Sequence, residues 1–177
     1  LLAALSLTLY LISDLQRHKA ERREQAILLG QEAGARVADA LDAQLGAIAS
    51  RAVEYAAQIA TTTDETGLLH SIQEESGRFP LVLGVTVAYE PGKFQGKARY
   101  SPFFDKKRNE FQYVEASYDY TDSELATAAW YSSIIESGES RWSDPYYAEA
   151  AKVIMVDYGT PLIDARGEII GVVDYSI

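Results

Sequence analysis

Cysteine is absent from the 177 residues of this chain, and histidine occurs only twice, as His18 and His70. Without thiols the chain cannot form disulfides, bind zinc through cysteine or use a cysteine nucleophile. The two histidines lie far apart, in stretches that have the composition of helices. We therefore expect neither a metal site nor a catalytic site based on histidine.

Basic residues are also scarce. Sixteen Lys and Arg residues stand against 26 Asp and Glu residues, which gives a formal net charge of −10. That charge argues against nucleic acid as a partner, because its phosphates would be repelled. The apolar fraction of 47% is typical of a folded protein, and the length suits one domain with an appendage.

The first twelve residues, LLAALSLTLYLI, are uncharged and almost wholly apolar. Twelve residues span only ~18 Å as a helix, against a membrane core of roughly 30 Å. We therefore interpret residues 1–12 as the end of a truncated transmembrane helix. The core of a signal peptide and a buried helix of a soluble protein are the alternatives.

Residues 13–62 contain no proline, and apolar residues recur every three or four positions from Ala26 to Ile59. This spacing is that of one face of a single long helix. A helix of this length needs a partner for its apolar stripe. We expect a stalk helix that pairs with a second copy of the chain in its first part and packs on a domain in its second part.

Residues 63–177 alternate short helical and β-rich stretches. Asp64 is a suitable N-cap for a helix that would end at Gly77, and Leu81–Tyr89 has the β-branched character of a core strand. A hairpin around Lys106–Asn109, a helix from Asp122 or Ser123 to about Ser137, and a hairpin of Val153–Ile163 and Glu168–Ile177 follow. This order predicts an α+β fold with the helices on one face of an antiparallel sheet.

The last part of the chain carries an ordered set of aromatic and glycine positions. They are Trp130-Tyr131, Trp142-Ser143-Asp144-Pro145-Tyr146-Tyr147, Met155–Pro161, Asp164, Gly167 and Gly171-Val172-Val173. In this pattern the chain resembles the Cache family of extracytoplasmic sensor domains, specifically the membrane-distal, PAS-like module of the double-Cache type. The resemblance covers about residues 24–177.

This resemblance implies a long N-terminal helix packed on a PAS-like antiparallel sheet of about five strands. It makes residues 63–177 the sensor module, with a membrane-proximal module and an output domain that this sequence does not contain. It also implies a receptor in a bacterial inner membrane, with the sensor outside the cytoplasm. The basic flank from Arg17 to Arg23 conflicts with that orientation, because such flanks tend to stay in the cytoplasm.

An aromatic cluster in the second half of the chain is the candidate ligand site. The expected members are Tyr118, Tyr120, Trp130, Tyr131, Trp142, Tyr146, Asp157 and Tyr158. As a group they carry more polar tips than a core requires, so a ligand cage is plausible. With Asp157 nearby, such a cage suits an amine or another cation. Because Trp130 and Tyr131 are adjacent on a helix, we place Tyr131 against the ligand with Asp157, and Trp130 in the wall.

Acidic residues near this cluster offer an alternative. Asp144, Asp157, Asp164 and Asp174 could form the paired carboxylates of a hydrolase. Asp164 is better explained by a hairpin turn, and Asp144 by the turn before Pro145. We therefore predict no catalytic residues, no metal ligands and no cofactor.

Amino-acid-sensing members of the Cache family carry an arginine two residues before the Trp-Tyr pair and an aspartate near the domain's end. Here those positions are Ala128 and Ser176, and the family's tyrosine position is Ser123. Neither end of an amino acid would then have a charged partner. We therefore expect a small-molecule ligand that is not a standard amino acid. A structural or dimerisation module without a ligand is the alternative function.

The stalk helix generates a first test. If its apolar stripe is a dimer seam, Val37→Asp places a charge in that seam and should weaken self-association of the chain. Sedimentation velocity of the unmodified chain and of the variant measures the fraction of dimer in each. An unchanged balance of monomer and dimer would rule out the seam.

Overall fold

Helix α1 extends from Leu2 to Ile59 as one uninterrupted helix of 58 residues. The computed structural model describes residues 2–149 and 151–177. The chain divides into two units, residues 1–45 and residues 46–177. The long helix predicted from the apolar periodicity is therefore present, and its last turns belong to the second unit.

In the first unit, α1 exposes apolar side chains along its length. Leu29, Val37 and Leu41 have 64%, 69% and 46% of their surface exposed. These residues belong to the stripe that we expect to pair with a second copy, and that pairing stays a prediction.

No helix within residues 2–149 or 151–177 is both long enough and apolar enough to cross a membrane. The side chains of residues 1–9 and 12, which form most of the predicted transmembrane segment, lie outside the described residues.

In the second unit, residues 46–59 of α1 bury one face. Ile48, Ala52, Tyr55 and Ile59 follow each other at steps of four, three and four residues, and all four are buried. Helix α2 (Glu65–Ser76) comes next, and Asp64 caps it by accepting hydrogen bonds from the backbone N–H groups of Thr66 and Gly67. Helix α2 therefore begins and ends where the sequence predicts.

Six antiparallel strands form the main sheet in the order β3-β2-β1-β8-β7-β4. The strands are β1 (Gly84–Tyr89), β2 (Pro102–Asp105), β3 (Glu110–Tyr113), β4 (Arg141–Trp142), β7 (Asp157–Ile163) and β8 (Ile169–Ser176). Two further strands, β5 (Tyr146–Ala148) and β6 (Val153–Met155), pair with each other in a separate small sheet. The predicted α+β fold is confirmed, with six strands in the main sheet instead of about five.

Helices cover both faces of this sheet, and the prediction of helices on one face only is wrong. Helices α1 and α2 pack on the face that carries Val173. Helix α3 (Ala129–Ser137) packs with Val172, on the opposite face. The reason lies in the central strand β8. Its neighbouring residues Val172 and Val173 point to opposite faces of the sheet, and both are fully buried.

Two predicted segments have different bounds in the structure. The helix expected to start at Asp122 or Ser123 becomes α-helical only at Ala129, because Asp122 instead closes a local turn by accepting the Glu124 N–H at 3.0 Å. The single strand expected over Val153–Ile163 is divided between β6, which pairs with β5, and β7, which pairs with β8.

One buried carboxylate joins α1, α2 and β8. The Glu75 side chain is 3% exposed, and it accepts hydrogen bonds from Arg51 Nε at 2.8 Å, Arg51 Nη2 at 2.7 Å and Tyr175 Oη at 2.9 Å. Burial disfavours the charged form, yet the hydrogen bonds from Arg51 and Tyr175 keep the pKa of Glu75 below its ordinary value. This carboxylate is therefore ionised, and both of its oxygens accept hydrogen bonds.

This junction predicts a large difference between two adjacent glutamates. Glu75→Ala removes the two shortest hydrogen bonds of the mostly buried Arg51, which keeps only its hydrogen bonds to Glu54 and Gln58, and should lower the free energy of unfolding by roughly 3–5 kcal/mol. Glu74→Ala is the matched control, because Glu74 is 69% exposed and its loss should change stability by less than about 0.5 kcal/mol. Urea denaturation measures both values, and equal effects would contradict the role of Glu75.

Candidate functional site

Two buried aspartates lie side by side on the α3 face of the sheet. Asp157 begins β7 and is paired with Ser176 of β8, while Asp174 lies two residues earlier on β8. Directly paired residues and residues two apart on a strand share one face, so all three side chains point the same way. Asp157 is 1% exposed and Asp174 is 2% exposed.

Each of these carboxylates has one oxygen without a partner. Tyr146 Oη donates a hydrogen bond to Oδ2 of Asp157, and Ser176 Oγ donates to Oδ2 of Asp174 at 3.4 Å. The Oδ1 atoms of both aspartates are buried, and no residue within 2–149 or 151–177 donates a hydrogen bond to them. A buried acceptor without a donor is costly, so these two oxygens mark a place for a donor.

Both aspartates hold their protons more tightly than usual. Burial raises the pKa of Asp157 to about 6. Burial and the neighbouring charge of Asp157 raise the pKa of Asp174 well above its ordinary value. The charged forms are disfavoured because the carboxylates are taken out of water and no cation compensates them.

Asp174 and Ser176 border a small, partly open cavity of about 30 Å³, room for about one water molecule. Of the predicted site residues, the structure brings Tyr118, Trp130 and Tyr146 together in its walls, next to Asp174. Trp130 Nε1 donates a hydrogen bond to Tyr118 Oη at 2.8 Å. These aromatic groups place a cation–π surface beside the carboxylates.

Trp130 also separates this cavity from a larger one, which we call the aromatic groove. The groove has a volume of about 360 Å³ and is lined by Trp130, Arg141, Trp142, Ser143 and Tyr146, among others. Helix α3 comes close to the sheet here because Gly159 has no side chain: a Cβ at this position would lie 2.8 Å from Ile134 Cγ1.

The structure places the other predicted residues outside the small cavity. Tyr120 is fully buried, and its hydroxyl donates to the Tyr89 carbonyl at 2.7 Å. Tyr131 donates to Glu90 Oε1 at 2.6 Å. It is therefore Trp130, and not Tyr131, whose side chain borders Asp174, so the predicted orientation of this helix is reversed.

Tyr158 belongs to the opposite face of the sheet. It packs against the core formed by α1 and α2, and its ring meets the edge of Trp142 with 5.0 Å between centroids. Strand alternation accounts for this position, because Tyr158 follows Asp157 directly on β7.

Sequence reasoning considered Asp174 only as a possible catalytic acid and Ser176 only as the position of the family's aspartate, and it placed neither in the ligand site. The signal was available, because Asp174 lies two residues before Ser176 on a strand and therefore shares its face. Asp174 thus places a carboxylate on the same face of β8 as position 176, where the Cache pattern has its aspartate. Among the described residues, no group of three or more His, Asp or Glu side chains could hold a metal ion.

The family of methyl-accepting chemotaxis protein-like first PDC sensor domains matches residues 68–177 of this chain. The chain belongs to this family. The resemblance to Cache sensor domains is thereby confirmed. No curated protein matches the sequence of this PDC domain.

Solved structures share the fold of this PDC domain. The extracellular domain assigned to the histidine kinase soHK1S-Z6 matches with a TM-score of 0.63 and 24% identity, over 75% of this chain and 52% of its own. A structure named methyl-accepting chemotaxis protein X matches with a TM-score of 0.68 and 21% identity, over 88% and 64%. The chain thus spans between about half and two thirds of the length of these structures.

A third similar structure corrects the ligand prediction. The sensory domain of the Campylobacter jejuni chemoreceptor Tlp3 contains bound isoleucine and matches with a TM-score of 0.56 and 15% identity, over 77% of this chain and 53% of its own. The same receptor domain has been solved with L-valine. A fold of this kind therefore accommodates standard amino acids, and our exclusion of that class is wrong. It relied on the absence of the family's arginine at Ala128 and of its aspartate at Ser176.

The raised pKa values predict how the stability of the empty domain depends on pH. Between the ordinary pKa of 3.8 and the folded value of about 6, folded Asp157 binds more protons than unfolded Asp157. The free energy of unfolding should therefore fall as the pH rises through this window, and Asp174 extends the fall to higher pH. Thermal unfolding between about pH 5 and pH 7.5 measures this loss.

The control is the double variant Asp157→Asn, Asp174→Asn, which removes both titrations. Its melting temperature should change less with pH than that of the unmodified domain. Parallel pH profiles of the two proteins would contradict the raised pKa values.

Proposed function

We propose that this PDC domain is the ligand-sensing part of a bacterial membrane receptor, exposed outside the cytoplasm, and that its ligand carries a protonated amino group. The observation that carries the proposal is the pair of buried carboxylates, Asp157 and Asp174, each with one unpaired oxygen. Similar folds occur in extracellular domains assigned to histidine kinases, which supports the location.

A protonated amine suits this site for two reasons. It has three N–H donors, enough to satisfy both Oδ1 atoms, and its charge offsets the repulsion between the two carboxylates. The rings of Trp130 and Tyr146 add a surface that attracts cations. Neutral or anionic compounds supply neither the charge nor the full set of donors.

Amino acids are the first class of ligand to test. The structure of Tlp3 with bound isoleucine has the same fold, and the ammonium group of an amino acid matches the acid pair. Because the sequence identity to Tlp3 is low, the amino acids bound by Tlp3 do not predict which ligand side chain this chain accepts. The panel should therefore include all standard amino acids and the corresponding amines.

The arrangement of β8 offers a route from the site to α1. Asp174 and Ser176 face the ligand cavity, while Tyr175 between them faces the helices and donates to Glu75. Glu75 in turn is held by two hydrogen bonds from Arg51 of α1. A ligand that displaces β8 would therefore move α1, and we infer that α1 passes this shift toward the membrane.

A module without a ligand, serving only dimerisation, is the second candidate. The observation in its favour is the small volume of the cavity beside Asp174, about 30 Å³, which is too small for an amino acid. The same experiment separates the two candidates, because a true ligand stabilises the folded domain by mass action whereas an inert compound does not.

The test is a thermal-shift screen with amines and amino acids, followed by calorimetry on each compound that raises the melting temperature. Asp174→Asn keeps the shape of the side chain but loses the charge, so it should weaken binding roughly tenfold to a hundredfold. Asp122→Asn is the matched control, because Asp122 is exposed and outside the site. Absence of any hit, or equal affinities in the two variants, would overturn the proposal.

A further inference from the structure

A second cavity, which we call the basic cavity, lies on the α3 face of the sheet. Its volume is about 280 Å³, near the lower limit of roughly 300 Å³ for sites that bind small molecules. It shares Phe103 and Met155 with the small cavity beside Asp174. Neither Asp157 nor Asp174 borders it, so its chemistry is independent of the acid pair.

The inner surface of the basic cavity is apolar. Phe103 of β2 and Met155 of β6 line it, and each is only 4% exposed. The Phe103 ring lies over β1 at Gly84, where a Cβ would be 2.3 Å from Phe103 Cε2. Leu83 and Val153, both 41% exposed, extend the apolar surface outward. An apolar group that enters the cavity is therefore removed from water.

The outer rim of the cavity is cationic. Lys107 and Arg108 come from the turn between β2 and β3, and Lys152 comes from the turn between β5 and β6. Asp105, the acid in the walls, accepts hydrogen bonds from the backbone N–H of Arg108 at 3.0 Å and from its Nη1 at 2.9 Å. Three cations against one acid leave two net positive charges at this opening, in a chain whose net charge is −10.

The turn that carries Lys107 is fixed in place without a ligand. The backbone N–H of Lys106 donates to the Leu83 carbonyl at 3.0 Å, and Lys106 Nζ donates to the Phe79 carbonyl at 2.8 Å. Within residues 2–149 and 151–177, Lys107 itself makes no ion pair. Its charge is therefore positioned in advance and remains available to an anion.

Lys152 brings a second available charge. Its backbone N–H donates to the Ala148 carbonyl at 2.7 Å, and its φ of 60° is a left-handed conformation that few residues other than glycine adopt. Its Nζ lies 2.7 Å from Glu149 Oε2, but the two side chains are 61% and 46% exposed. Exposed ion pairs of this kind are weak, so an anion in the cavity can replace Glu149 at low cost.

We propose that the basic cavity binds a small monocarboxylate, with its charge between Lys107 and Lys152 and its apolar body against Phe103. A body with the bulk of a phenyl ring or a short alkyl chain suits a cavity of this volume. The preference for an anion is opposite to that of the acid pair. This is therefore a second site, and it does not depend on the proposed function.

The first arm of the test compares matched probes on the full chain. Phenylacetate and hexanoate carry both the charge and an apolar body, acetate carries only the charge, and phenylacetamide and hexanamide carry only the body. Calorimetry measures each affinity. At least one of the two larger carboxylates should bind roughly tenfold or more tightly than acetate and than its own amide. If neither binds, or if acetate binds equally well, the inference is wrong.

The second arm locates the site. The double variant Lys107→Gln, Lys152→Asn removes two rim charges, and asparagine tolerates the left-handed backbone at position 152. The matched control is Lys93→Gln, Arg166→Gln, which removes the same charge from two exposed ion pairs with Glu168. Thermal unfolding of the empty variants checks that both are folded.

The rim variant should bind the larger carboxylate at least roughly tenfold more weakly than the unmodified chain. The control should change the affinity by less than about twofold, because distant surface charges are screened. Equal losses in the two variants would show that net charge alone attracts the anion, and an unchanged affinity in the rim variant would place it elsewhere. Either outcome overturns this inference and leaves the proposed function standing.

Discussion

The carboxylate of Glu75 is the interaction that holds the second unit together. It lies where α1, α2 and β8 meet. Glu75 belongs to α2, whereas its donors Arg51 and Tyr175 belong to α1 and β8. A buried charge without these partners would be strongly unfavourable. The position of α1 on the sheet is therefore fixed by a specific arrangement of charges as well as by apolar packing.

Strand β8 connects this junction to the candidate site. Its alternation sends Tyr175 toward the helices and Asp174 toward the cavity, so neighbouring residues of one strand serve the two faces of the sheet. A displacement of the strand by a ligand changes both faces at once. The transmission that we propose from the site to α1 therefore needs no separate connecting element.

Local sequence patterns predicted most of the fold. The stripe from Ile48 to Ile59 and the cap at Asp64 depend on neighbours in the chain, and both are confirmed. The side of the sheet on which α3 lies could not be predicted, because periodicity gives the faces of an element but not which partner each face meets. For the same reason, we predicted that Tyr131 and not Trp130 would point toward the site. Asp174 was considered only as a catalytic acid, because the predicted hairpin did not fix the register that brings Asp174 next to Asp157.

The raised pKa values of Asp157 and Asp174 have a consequence for what the domain measures. Below their raised pKa values, two adjacent buried carboxylates retain a proton, since both cannot easily be charged together. The ammonium group that we propose as ligand would displace that proton into the solvent, so its binding would be an exchange of one ion for another. Occupancy then follows the ratio of ligand activity to hydrogen-ion activity. In acidic surroundings, such a receptor would report less ligand than is present.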